Sequence, residues 1–179
     1  FWCTDDPLYQ AYHDQEWGQP IRDDQHLFAL LMLEGFQAGL SWRTILYKRE
    51  NFNRAFDGWD PVKIAAYTDD DIARLMADPG IIRNRLKCTG AVRNAKAFLK
   101  VQDELGSFSD YLWSFVDGKT VTRRFDDPTD QHRATSPESD AMSKALRKRD
   151  FTFVGSTICY AFMQSAGLID DHAPGCFRG

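Results

Sequence analysis

Residues 27–42 read LFALLMLEGFQAGLSW. Seven apolar residues, Leu27 to Leu33, run without a polar face, and a helix that is apolar on every side is a buried helix. Glu34 follows with no break, then Gly35, Gly39 and Trp42. A carboxylate at the inner end of such a helix is costly unless it is hydrogen-bonded or put to use. Two readings of Glu34 are open. It accepts bonds from backbone amides as a structural group, or it accepts from the N–H edge of a ligand; the second is preferred here.

Helix signals dominate on both sides of this stretch. Asp6-Pro7 opens a helix through Trp17, with Asp6 as cap and Pro7 at the first position. Asp23 or Asp24 caps the buried helix over Gln25 to Gln37, which ends near Gly39. Ser41 caps a helix from Trp42 to Phe56, and Asp60-Pro61 starts a short one. Thr68 caps DDDIARLMAD, Pro79-Gly80 is a tight turn, and a long helix runs from Asn84 to Leu105. Ser107 starts FSDYLWSFVDG, Ser136-Pro137 opens a helix through Arg149, and Gly155 or Ser156 opens the last one, to Gly167. Residues 118–135 lack periodicity and read as an exposed loop, with VTRRF as the one short extended piece. The expected fold is all-α, with about eight or more helices.

The chain has 179 residues, enough for one domain with a real core, expected over roughly residues 24–168. No segment approaches the ~20 uninterrupted apolar residues of a membrane span. A net charge of −4 excludes a bulk polycation, so any nucleic-acid site is a local patch. Four cysteines are too sparse for a disulfide scaffold, which points to a reducing cytoplasm. There is no G-x-S-x-G elbow, P-loop or Rossmann glycine pattern.

Three constellations carry chemistry. The first is LMADPGIIRNRLK, Leu75 to Lys87, in which a helix meets a Pro-Gly hairpin and a second helix follows. Arg83, Arg85, Lys87, Arg93, Lys96 and Lys100 follow the turn, and no acid lies between Gly80 and Lys100. The run is either a solvated helix face or a phosphate-binding patch beside Gly80. Second, Trp2, Tyr9, Tyr12, Trp17, Phe36 and Trp42 crowd the first 42 residues. They are core aromatics, or faces that stack on an extruded base and favour a cationic one. Third, His172 and Cys176 are four apart, and His13 lies at the other end of the chain. His and Cys suit zinc, a structural site takes four ligands, and Cys3 is the remaining one nearby. On spacing alone, two surface histidines and an incidental cysteine are the simpler reading.

DPLYQAYHDQEWG, LEGFQAGLSW, PGIIRNRLK, FVGSTICYAFMQSAGLIDDH and the H-x3-C tail, in this order over nearly the whole chain, resemble the 3-methyladenine DNA glycosylase I family. The resemblance implies a single-domain, compact helical DNA glycosylase fold over residues 1–179. It has a helix-hairpin-helix-like element and a zinc staple joining its two ends. It implies a monofunctional base-excision enzyme that acts on double-stranded alkylated DNA and releases free 3-methyladenine; no membrane partner is expected, and a monomer is the default. By the same resemblance, Glu34 binds the methylated base, Tyr12 and Trp42 stack on it, and Trp2 and Tyr9 line the pocket. Leu40, beside Gly39, plugs the gap left in the duplex, and Gly80 with Arg83 and Arg85 holds the backbone. His13, His172 and Cys176 match three zinc ligands. The family's fourth, a cysteine two residues before the tryptophan matching Trp2, falls ahead of Phe1, and Cys3 is not that ligand. Many related glycosylases carry a catalytic aspartate about 20 residues beyond the hairpin. Asn84 to Gln102 contains no acid, and Asp103 is not given that role. A non-catalytic, zinc-stabilised binder of damaged DNA is the alternative that the same residues allow.

Overall fold

The structure, a computed structural model, describes residues 5–123, 133–173 and 175–178. Trp2, Cys3 and much of the 118–135 loop lie outside these residues. Among them are nine α-helices: α1 Pro7–Gln15, α2 Asp24–Gln37, α3 Trp42–Ala55, α4 Pro61–Ala65, α5 Asp69–Ala77, α6 Arg85–Leu105, α7 Phe108–Trp113, α8 Pro137–Lys148 and α9 Ser156–Ser165. The all-α expectation holds; α1, α3, α8 and α9 end a residue or two short of the sequence estimate, α2 and α6 end as expected, and α7 stops at Trp113, well inside the FSDYLWSFVDG run.

Local chemistry sets most boundaries. Asp6 accepts from the amides of Leu8 and Tyr9, and Pro7 occupies the first turn of α1, where no amide bond is lost. Ser41 Oγ takes the Thr44 amide at the start of α3. Thr68 and Asp71 cap α5 reciprocally. Of the two aspartates before the apolar run, Asp23 is the cap of α2. Asp24 instead reaches across the core. Its carboxylate accepts from Gln102, from Ser107 and from the amides of Phe108 and Ser109, so one acid fixes the start of α7 against α2 and α6.

Helix α2 is the axis of the molecule. It packs on α3, α6, α7 and α9, and its residues from Leu30 to Phe36 are all buried. Each large apolar side chain removed from water there contributes roughly 1.5–3 kcal/mol. Phe36, Phe52, Phe56 and Trp59 continue this core in a run of ring contacts, with Phe56 and Trp59 stacked at 4.7 Å. The extended piece of the loop is real but small. β1, Val121–Thr122, pairs in parallel with β2, Ile169–Asp170, just beyond α9. Among the described residues no helix is long and apolar enough to cross a membrane.

Candidate active site and metal cluster

Glu34 lies in the last turn of α2 and is 1% exposed. Its Oε1 accepts from Ser165 Oγ at 2.9 Å, and Ser165 accepts in turn from Tyr12 OH at 3.2 Å. Glu34 Oε2 is buried and, among the described residues, has no hydrogen-bond partner. The structural reading, a carboxylate saturated by backbone amides, therefore fails: one oxygen is held and the other is open. Burial pushes the Glu34 carboxyl up to about 8, with the Ser165 bond opposing the shift. Burial, reinforced by the Glu34 charge, keeps the Tyr12 phenol protonated.

Tyr12 and Trp42 touch, with ring centroids 5.4 Å apart and planes tilted by 43°. A planar ring that stacks on the inner face of either must displace the other. Trp42 Nε1 is a second buried polar atom without a partner among the described residues. Beside this pair lies a cavity of about 400 Å³, whose walls include Tyr12, Leu30, Leu33, Trp42, Arg49 and Ser165. Arg49 closes part of its wall through a two-point ion pair with Glu16, at 2.5 and 3.0 Å. Ser165, in this wall, bonds Glu34 behind it.

The structure thus brings Tyr12, Glu34 and Trp42 together. Tyr9 is half-buried on α1 and packs against the same core. Ser165 was missed in the sequence: it is the last residue of α9, and nothing local names its partner.

Gly39, at φ +80°, turns the chain between α2 and α3 and leaves Leu40 42% exposed. The Gly80 hairpin joins α5 to α6. Its amide donates to Asp78 Oδ1 at 2.7 Å, and Lys48 and Asn51 donate to its carbonyl. Arg83 and Arg85 are exposed beside it. The basic run is not one patch, however. Arg93 pairs with Asp150 at 3.1 Å, and Lys87 is buried.

His13, His172 and Cys176 converge, with one ligand atom of each within 4.8 Å of the others. His172 Nδ1 lies 2.7 Å from Asp170 Oδ1, and its buried Nε2 has no partner among the described residues. His13 Nδ1 lies 2.8 Å from Asp14 Oδ1, and its Nε2 lies 3.7 Å from Cys176 Sγ. A carboxylate behind each imidazole, with the other nitrogen turned inward, is how protein zinc ligands are oriented. Gly18 permits the approach: a Cβ there would lie 2.7 Å from the His172 ring. These donors fit zinc.

A buried acid with one unpartnered oxygen, linked through Ser165 to an aromatic-walled cavity in a helical core, is an arrangement that suits a small planar ring with N–H donors. The methyladenine glycosylase family profile matches residues 2–179, and the chain belongs to that family. DNA-3-methyladenine glycosylase 1 of Escherichia coli (strain K12) is 49% identical over 175 residues, covering 98% of this chain and 93% of that protein. A crystal structure of 3-methyladenine DNA glycosylase I superposes with a TM-score of 0.94 at 49% identity, over 98% of this chain and 96% of that one. A tyrosine variant of a 3-methyladenine DNA glycosylase I, solved in complex with 3-methyladenine, has a TM-score of 0.92 at 40% identity, over 97% and 92%.

Proposed function

We propose that this chain is a monofunctional DNA-3-methyladenine glycosylase of base excision repair. It extrudes the lesion from duplex DNA and hydrolyses its N-glycosidic bond. The observation that carries the reading is the buried, unpartnered Glu34 Oε2, on a carboxyl joined through Ser165 to Tyr12 in the wall of the aromatic cavity, in a chain of this family.

Methylation at N3 makes adenine in DNA cationic and weakens its bond to the sugar. The lesion therefore needs less acid assistance than a normal base. Extrusion costs a few kcal/mol, and stacking on Tyr12 and Trp42 offsets it. Glu34 Oε2 accepts from the base edge in a site without water, where charge counts for more. As the C1′–N bond breaks, the base leaves neutral with the bonding pair, the sugar gains oxocarbenium character, and water adds at C1′ with loss of a proton. Glu34 binds the cation more strongly than the neutral product, so ion pairing alone favours the ground state. The remaining acceleration comes from strain, desolvation or the placing of water.

Leu40 fills the gap left in the duplex. The Gly80 hairpin with Arg83 and Arg85 tracks the backbone, as a helix-hairpin-helix-like element. Tyr9 adds to the pocket wall. His13, His172 and Cys176 would hold a structural zinc, which would staple the two ends of the chain. The working state is a monomer in a reducing cytoplasm.

The test is incubation with methylated duplex DNA followed by chromatography of free bases. Release of 3-methyladenine without 7-methylguanine is expected. Tight binding without release would overturn the enzymatic reading and favour a non-catalytic binder of damaged DNA.

A further inference from the structure

Lys87 stands in the first turn of α6, just past the hairpin, where Asn84 Oδ1 accepts from its amide. Its side chain does not join the exposed arginines around it. The residue is 8% exposed, and Nζ donates to Phe36 O at 2.9 Å and to Ala38 O at 2.7 Å. Among the described residues no carboxylate pairs with it, and burial alone lowers its basicity. An ammonium placed out of water without an acid is costly, so this one has to be held by something else. It is held by the C-terminal end of α2, where carbonyls lack helical donors and the helix dipole is negative.

The place of contact matters. Ala38 is the last residue before Gly39 and Leu40. The turn has few bonds of its own: Leu40 N to Gln37 O at 2.6 Å and Ala38 N to Gly35 O at 3.3 Å. Lys87 adds two charge-assisted bonds to this turn, and it brings them from the helix that follows the hairpin. The hairpin and the Leu40 turn are far apart in sequence, and the Lys87 ammonium bridges them directly.

We propose that Lys87 is a positioning residue, a strut that fixes the Leu40 turn relative to the Gly80 hairpin, so that seating the hairpin on the backbone aims Leu40 into the base stack. The proposal rests on the glycosylase reading and its role for Leu40. It also removes Lys87 from the phosphate contacts that its place in the basic run suggests.

The experiment uses Lys87→Met, which keeps the stem and removes the ammonium, together with Leu40→Ala and the double variant. Single-turnover release of 3-methyladenine from methylated duplex should fall about 10- to 100-fold in Lys87→Met, the range expected when a reacting group is slightly misplaced. Binding of free 3-methyladenine and the salt dependence of duplex binding should not change. In the Leu40→Ala background, Lys87→Met should cost less than about twofold, because the two residues act as one unit. A drop in the salt slope by about one would instead make Lys87 a phosphate ligand and overturn the strut. Fully additive losses with Leu40→Ala, or unchanged release, would overturn it as well. If Lys87→Met does not fold, Lys87→Gln keeps one donor and carries the same cycle. Failure of the wild-type chain to release any base would sink the glycosylase reading itself, which separates the two outcomes.

Discussion

Ser165 on α9 donates to Glu34 Oε1 at 2.9 Å across 131 positions of the chain, while Glu34 Oε2 has no partner among the described residues. The hydroxyl fixes the carboxyl plane and leaves its second oxygen for a ligand. Removing Ser165 takes away the one bond that opposes the raised Glu34 ionisation. In Ser165→Ala, the pH at which Glu34 ionises should move further up, and kcat/KM at neutral pH should fall by about tenfold for each unit moved. Ser165→Thr, which keeps a hydroxyl, should restore the profile. A loss uniform across pH would mean that Ser165 only packs.

Glu34 also links pH to stability. Burial raises its carboxyl from 4.5 to about 8, so the folded chain keeps a proton that the unfolded chain gives up between those values. The stabilisation is complete below pH 4.5 and declines as pH rises towards 8. Urea titrations across this window should show a steeper decline for the wild-type chain than for Glu34→Gln. Activity runs the other way. A cationic base needs the carboxylate, so kcat/KM should rise to a plateau above about pH 8.

Trp42 contributes a face more than a hydrogen bond. Trp42→Ala should weaken binding of free 3-methyladenine by the ~1–3 kcal/mol typical of one base–aromatic stack. Trp42→Phe, which keeps a ring and loses Nε1–H, should cost less. Fluorescence or NMR titration with the free base measures both.

The metal cluster predicts a thermal shift. One equivalent of Zn²⁺ should raise the Tm of the folded chain, and a chelator should reverse it. His172→Ala should abolish the response, because its inward Nε2 is the buried donor without another partner. A Tm indifferent to zinc would contradict the assignment.

Much of the fold was legible because its signals are local. Asp6, Ser41 and Thr68 cap the helices they were expected to cap, and the apolar run before Glu34 marks the buried axis. What was not legible is what the chain does with those signals at long range. Asp24 looked like an alternative cap and instead ties α2 to α7. Lys87 looked like one more charge in a basic run, but it is the member turned inward. Ser165 carries no sign of Glu34 in its neighbourhood. The β1–β2 pair is two residues long on each side, too short to leave an alternating pattern. His13, His172 and Cys176 were weak by spacing, and only folding brings their donors within 4.8 Å.

The central claim is that the open oxygen of Glu34 meets the methylated base. The direct measurement is single-turnover release of 3-methyladenine from methylated duplex by the wild-type chain and by Glu34→Gln, with Tm recorded for both. Loss of one charged hydrogen-bonding partner predicts a fall of about 10- to 100-fold with the fold intact. Release at the wild-type rate by a folded Glu34→Gln variant would contradict the account.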